Sequence, residues 1–366
     1  MSGGPVGVGV IGAGVISTQY LQHLTTYPDV RVLFVADLDT ERAAAQAAAF
    51  GVPGSGTVDE LLAEPDVEIV VNLTIPAAHI DVSLAILAAG KHVWSEKPIG
   101  LDLAGSAALV ARADELGLRV GVAPDTMLGS GIQTALRAIR RGDIGRPLSS
   151  LTLMQSPGPD LWHPSPDFLF QSGGGPVLDM GPYYFSALVH VFGSVKGVQA
   201  RGHRAQETRR IVTGPRAGEE FAVTEPTNVA LLLDFGGDAF GMSHFSFDSP
   251  LARQGFVEIT GTEATLVLPD PNTFGGASTL VTPDGEKREL PVDADGQGRG
   301  LGVVDMARAI RGGGELQAGG ALGLHVLDVM LSSLRSLEER SPVAVETEAP
   351  VVPPLGEDWD AQAATL

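Results

Sequence analysis

Residues 6–17 read VGVGVIGAGVIS. Valine, isoleucine and glycine without a polar residue over 6–12 fit a short strand buried on both faces, as in the parallel sheet of an α/β protein. Gly12 and Gly14 then supply a tight strand-to-helix turn, and Val15, Ile16 and Ser17 open the helix. At such a turn the backbone can approach a pyrophosphate, which the positive end of the helix attracts. Ser17 stands where a third glycine is usual. Taken alone, GxGxxS fits a plain tight turn as well as a nucleotide cradle, so its surroundings must decide.

Working outward, β-branched runs alternate with alanine- and leucine-rich stretches up to residue 124, the rhythm of βαβ units. Strands are expected at 6–12, 30–37, 68–75, 92–96 and 119–124. Helices are expected at 15–27, 40–50, 58–64, 78–89 and 101–117. The second strand ends on Asp37, placed to accept hydrogen bonds from the 2′- and 3′-hydroxyls of an adenosine ribose. Its carboxylate would repel a 2′-phosphate. Leu38, Asp39 and Thr40 follow with no adjacent cation, so the pattern favours NAD over NADP.

After residue 124 the pattern changes. A helix at 129–142, a strand at 148–155 and a helix after the glycines at 173–175 precede NVALLLDFG, AFGMSHFSF, GFVEITG, TEATLVLPD and the hairpin STLVTPDGEKREL. Their alternation of apolar and polar residues fits an antiparallel sheet with one wet face. Helices at 303–311 and 321–339 follow, and the tail from Val345 reads as extended. Segments 156–176 and 205–226 read as loops, and no internal repeat is visible. The expected organisation is a Rossmann dinucleotide-binding domain at 1–124, an α+β domain at 125–346 with an open, largely antiparallel sheet, and a tail at 347–366.

Composition narrows the function classes. The chain has 366 residues, 44% hydrophobic and 19% charged, enough for two packed cores. A formal net charge of -20 disfavours nonspecific binding to nucleic acid or anionic membrane, both of which depend on clustered Lys and Arg. No uninterrupted apolar stretch approaches the roughly 20 residues that span a bilayer. The opening MSGGPVGVGVIGAG lacks the basic start of a secretory signal, and there is no cysteine, so a cytoplasmic location is expected. Only four of the 24 basic residues are lysines, which draws attention to Lys97.

AAHIDVSLAILAAGKHVWSEKPIG at 77–100, with GVIGAGVIS at 9–17, NLTIP at 72–76 and GGGPVLDMG at 173–181, resembles the glucose-fructose oxidoreductase/inositol dehydrogenase/rhizopine-catabolism (Gfo/Idh/MocA) family. The resemblance covers most of the chain and is specific as a set. It implies a Rossmann domain, a C-terminal α/β domain whose open sheet assembles a homodimer or homotetramer, and NAD(P)-dependent oxidation or reduction of sugars and cyclitols. The family's Glu-Lys-Pro motif maps onto Glu96, Lys97 and Pro98. The resemblance places the lysine beside the nicotinamide, on the hydroxyl being oxidised, where an ammonium stabilises charge developing on that oxygen.

Thr74, Pro76 and His79 follow a strand at the carboxyl edge of the sheet, where doubly wound folds bind ligands, and are expected at the cofactor with Gly12, Gly14, Val15, Ile16, Asp37, Glu96 and Lys97. Asp125 and Thr126 leave the last strand of that domain, from which nicotinamide or substrate could be met. In 173–184, GGGPVLDMGPYY, Asp179 and Tyr183 are i and i+4 and share a helix face. Pro182 fits only near a helix start. The resembling enzymes carry a histidine as general acid/base four residues after this aspartate; here that place holds Tyr183.

A phenol has an ordinary pKa of roughly 10 and can donate a proton to a developing alkoxide, and an ammonium nearby favours its ionised form. Alternatively the base is Asp179, His163 or Asp125, or the proton-transfer residue has been lost. Trp162, His163 and Tyr184 could shape a sugar pocket. His92, His190, His244 and His325 read as structural, and no His/Asp/Glu spacing fits a metal site. The expected activity is hydride transfer between nicotinamide and a secondary alcohol of a sugar or cyclitol, with Lys97, Asp179 and Tyr183 catalytic and Lys97, Asp125, Trp162, His163, Asp179 and Tyr183 at the substrate. The alternatives are a glycosidase or lyase that oxidises its substrate transiently, and a non-catalytic NAD- and sugar-binding regulator.

Overall fold

The computed structural model describes residues 3–366, which form two compact units. The first comprises residues up to 133 together with 293–327 and 352–366; the second comprises 134–292 and 328–351. The expected divisions at 124/125 and 346/347 mark where the sequence rhythm changes. The two units meet along the chain at four points, two within helices and two in irregular segments, so neither is continuous in sequence.

In the first unit, β1 (Val6–Ile11), β2 (Val30–Ala36), β3 (Gly54–Gly56), β4 (Ile69–Asn72), β5 (His92–Ser95) and β6 (Val120–Val122) form a parallel sheet in the order β3-β2-β1-β4-β5-β6. Its connecting helices are α1 (Val15–Leu24), α2 (Thr40–Phe50), α3 (Val58–Ala63), α4 (His79–Ala88) and α5 (Leu103–Leu116). Every residue of β1 and β4 is buried, as the unbroken apolar runs require. Helix starts follow local chemistry: Asp39 caps α2 by accepting from the Arg42 N–H, and Thr57 and Glu60 form a reciprocal capping box on α3. The strand Gly54-Ser55-Gly56 went unrecognised in sequence because it is three residues long with no alternation.

The same unit takes in α8 (Leu301–Gly312) and the chain end. Gly302 lies so close to the Trp94 indole that no Cβ would fit. The buried Asp29 carboxylate accepts from Thr365 N at 2.7 Å, Thr365 Oγ1 at 2.6 Å and Leu366 N at 3.0 Å. The last residues, which form no helix or strand, are thus tied to this unit.

Two helices, α6 (Ser130–Arg141) and α9 (Gly320–Glu339), each contribute residues to both units. The second unit holds a nine-stranded sheet built from β7 (Pro147–Gln155), β8 (Gly197–His203), β11 (Asn228–Asp234), β12 (Phe240–Ser246), β13 (Arg253–Gly261), β14 (Thr265–Leu268), β15 (Ser278–Val281), β16 (Lys287–Leu290) and β17 (Val343–Ala344), in the order β16-β15-β14-β13-β7-β12-β11-β8-β17. β12 pairs with β7 in parallel and the other pairings are antiparallel. α7 (Gly175–Phe192) packs in the same unit. Segment 205–226, expected as loop, contains the hairpin of β9 (Thr208–Arg210) and β10 (Glu220–Ala222), too short and polar to show in the sequence.

Candidate active site

In the first sheet β1 is flanked by β2 and β4, so the strand order reverses there and the crevice beyond the carboxyl ends opens at β1/β4. Gly12 turns the chain at φ +103°, and a Cβ on it would lie 2.7 Å from the Leu73 carbonyl oxygen. Gly14 is the N-cap of α1, and a Cβ there would meet nothing within 4 Å, which leaves clear space before the first-turn N–H groups. α1 carries no acid in its first turn, and Val15 stands 90% exposed with Ile16 half-buried. This is a cradle that fits a pyrophosphate. Ser17 explains the missing third glycine: its buried hydroxyl donates back to the Gly14 carbonyl at 2.6 Å, so a Cβ and a polar group are both accommodated.

Asp37, 7% exposed, directly follows β2, which stops at Ala36, one residue short of the expected end. Burial opposes its charge, but Arg42 and the N–H groups of Ala13 and Asp39 outweigh it and hold the carboxyl below the usual range. Arg42 was missed in the sequence, where only adjacent cations were considered. The Asp39 cap starts α2 so that its third residue turns back over the strand end.

At β4, the Thr74 hydroxyl donates to Asn72 Oδ1 at 2.6 Å, and Pro76 opens a single 3₁₀ turn ahead of α4. His79 was expected at the cofactor, but it is fully buried, with Nδ1 2.6 Å from the Pro98 carbonyl and Nε2 3.0 Å from the Thr74 carbonyl. It staples the Thr74 loop to the Lys97-Pro98 turn instead of presenting a nitrogen to a ligand. Glu96 accepts from the buried Tyr20 hydroxyl at 2.8 Å and from Lys97 N at 3.1 Å, and Trp94 Nε1 donates to the Tyr20 oxygen at 3.3 Å. Burial first, then the Glu96 and Asp125 charges, push the Tyr20 phenol up, which keeps it a donor. Lys97 leaves β5 half-buried, its backbone fixed by this chain of bonds.

Asp125 needs correction as a substrate contact. It is fully buried, accepts from Gly300 N at 2.6 Å and Arg299 Nη1 at 3.1 Å, and burial pushes its carboxyl up despite Arg299. A ligand would have to displace both partners. Thr126 is buried beside it.

In the second unit Asp179 is half-buried and Tyr183 is 5% exposed, both on α7 and therefore on one face of it. The helix begins at Gly175 itself, at φ +86°, and Gly174 packs where a Cβ would strike the Phe168 carbonyl. Pro182 sits eighth in the helix, beyond the first turn expected of it. Tyr184 turns into the core, accepts from Gly255 N at 2.8 Å and lies edge-on to Phe245, so it shapes no pocket. Trp162 is 66% exposed and His163 half-buried on the loop before the glycines, in an edge-to-face series with Phe168. That loop is pinned through Asp160, which with Asp248 pairs the buried Arg209. Among the described residues no group of three or more acids and histidines is placed to hold a metal, and no helix is long and apolar enough to cross a membrane.

The parallel sheet, its glycine turn at the switch point and the carboxylate just after β2 define a dinucleotide-binding protein. The chain belongs to the GFO/IDH/MocA oxidoreductase family: residues 6–123 match its model for the NAD-binding Rossmann fold, and residues 132–267 match its C-terminal domain. Relatives include 1,5-anhydro-D-fructose reductase of Ensifer adhaerens, 26% identical over 93% of this chain and 98% of that protein. Trans-1,2-dihydrobenzene-1,2-diol dehydrogenase of Mus musculus is 29% identical over 77% of this chain and 79% of its own length. Among solved structures, levoglucosan dehydrogenase in complex with NADH and L-sorbose superposes with a TM-score of 0.81 at 22% identity, covering 93% of this chain and 99% of that one. The chain is thus an NAD-binding oxidoreductase by family.

Proposed function

We propose that this protein is a dehydrogenase or reductase that moves a hydride between NAD(H) and a secondary alcohol or ketone of a sugar, cyclitol or related diol. The observation that carries the proposal is Lys97, half-buried where the chain leaves β5, its backbone held through Glu96, on the unit that bears the nucleotide cradle. The named relatives act on an anhydrosugar and a cyclic diol, which supports a polyhydroxylated ring as substrate. Nicotinamide, when bound, supplies the hydride acceptor or donor. The Lys97 ammonium binds the reacting oxygen and stabilises the charge that develops there. Asp179 orients substrate hydroxyls, and the Tyr183 hydroxyl takes or gives the proton at the reacting oxygen. Thr74 and Pro76 border the cofactor, and Trp162 and His163 offer aromatic faces to sugar C–H surfaces. The setting is the cytoplasm and the working form a homo-oligomer. The outer face of the second sheet supports the latter, with Leu232, Phe240 and Met242 at 45%, 45% and 48% exposure.

The test is a panel of aldoses, sugar acids, anhydrosugars and inositols with NAD and NADP. Stoichiometric NADH formation is expected, and Tyr183→Phe should lower kcat by about 10²–10⁴-fold with little change in cofactor affinity. An unchanged rate in Tyr183→Phe would remove the tyrosine from its role. Product formation without net NADH would indicate a lyase or glycosidase that regenerates its cofactor, and NAD binding with no turnover on any polyol would indicate a regulator.

A further inference from the structure

The loop that carries Trp162 and His163 has little regular structure of its own, only single 3₁₀ turns at Pro159–Leu161 and Asp167–Leu169. What holds it is one buried cation on the β9–β10 hairpin, Arg209. Its Nη1 donates to Asp160 Oδ1 at 2.7 Å and to the Pro157 carbonyl at 3.0 Å, and its Nη2 donates to Asp248 Oδ1 at 2.5 Å and to the Phe247 carbonyl at 2.7 Å. The guanidinium also lies over the Phe170 ring, 4.9 Å from its centroid. One planar group thus joins both ends of the loop to the chain leaving β12. Gly158, at φ +119°, leaves no room for a Cβ beside Arg209 Nη1 and Asp160 Oδ1. The turn of the same hairpin grips the loop twice more: Val212 N donates to the Asp160 carbonyl at 3.0 Å, and Arg216 forks onto Asp167 at 2.7 and 2.9 Å. Desolvation offsets most of the attraction in a buried pair, so such a cluster is poor evidence of added stability. A planar fork between two carboxylates does fix direction.

We propose that Arg209 is a positioning residue for the substrate: without touching it, the guanidinium sets where Trp162 and His163 stand by holding Asp160. The inference rests on the reading of Trp162 and His163 as substrate contacts. Both residues close the turn that starts at the Arg209 cluster, their N–H groups donating to the Pro159 carbonyl at 3.1 and 2.8 Å. The edge-to-face series Trp162, His163 and Phe168, with 5.6 Å between successive ring centroids, ends beside Asp167, which Arg216 holds. The hairpin therefore ties the aromatic series at both ends. A sugar that meets rings already in place spends no binding energy on ordering the loop. Arg209 thus acts on ground-state and transition-state binding alike, and lowers KM without raising kcat.

The experiment compares the full chain with Arg209→Met, Arg209→Lys and the double variant Trp162→Ala/His163→Ala. It uses hydrogen–deuterium exchange, thermal melting and steady-state kinetics on the panel sugar that reacts fastest. In Arg209→Met, exchange in peptides covering 157–171 should quicken by about tenfold or more, with β14 and β15 unchanged. KM for the sugar should rise by about tenfold while kcat stays within about threefold. Arg209→Lys keeps the cation and should regain most of the lost Tm, but an ammonium has no fixed fork to span two carboxylates, so fast exchange and raised KM should persist. Tm and KM recovering in parallel, kcat and kcat/KM falling equally, or unchanged exchange in Arg209→Met would each overturn the proposal. The double variant separates the proposal from the reading beneath it. An unchanged KM there removes both rings from the substrate, and the proposal with them; a raised KM there with none in Arg209→Met overturns the proposal and keeps the reading.

Discussion

Asp305 shows how one buried side chain sets a pH dependence away from the cofactor. It lies on α8 with its carboxylate accepting from Gln317 N at 3.0 Å, and burial pushes it up to about 6 from the ordinary 3.8, against the opposing pull of that bond and of Arg308 and Arg119. The folded chain therefore holds this proton more tightly than the unfolded chain does. Stability from the group is present at acid pH and is lost as pH rises through that window, by roughly 3 kcal/mol in all. Asp305→Asn keeps a carbonyl acceptor for Gln317 without the charge. Its Tm relative to the parent should rise between about pH 4 and pH 7; a flat difference would show that Asp305 ionises normally. Other buried groups follow similar logic. Lys91, one of the four lysines, donates to the carbonyls of Glu64 and Val67 and serves structure, while Lys97 stands at the strand edge. Sequence could single out both as rare lysines but could not sort them, because burial and partners are properties of the fold.

At the scale of elements, α8 is seated by a missing side chain. A Cβ on Gly302 would overlap the indole of Trp94, itself 1% exposed and hydrogen-bonded to Tyr20 behind Glu96. Gly302→Ala should cost about 3 kcal/mol through overpacking, seen as a lower urea midpoint and an altered near-ultraviolet circular dichroism spectrum. Gly312→Ala, at the end of the same helix where a Cβ meets nothing within 4 Å, should be neutral or stabilise by about 0.5–1 kcal/mol. Equal effects at the two sites would refute the packing account. Most elements were legible because their signals are local, as with α2, expected and found at 40–50. The β9–β10 hairpin was not, since its three-residue strands become ordered beside the buried Arg209, which holds Asp160 and Asp248 across 49 and 39 residues of sequence.

For the whole molecule, the proposed homo-oligomer would use the apolar outer face of the second sheet. Leu232 and Met242 are direct cross-strand partners on β11 and β12, and both are about half exposed. Replacing both with lysine should shift the proposed oligomer toward monomer in sedimentation velocity, while the monomer keeps its melting behaviour, since neither side chain is part of the core; an unchanged sedimentation coefficient would place the interface elsewhere. Sequence alone determined the α/β first half, the glycine turn, Asp37 and the helix carrying Asp179 and Tyr183, because strand and helix periods, glycine turns and caps act over a few residues. Tertiary structure alone decided that His79 and Asp125 are buried staples, that Arg42 sits on Asp37, and that the chain end packs against Asp29. Each of these depends on which groups are desolvated together and which donor reaches which acceptor, and that is set only when segments distant in sequence, or a loop and the helix after it, are packed into one place.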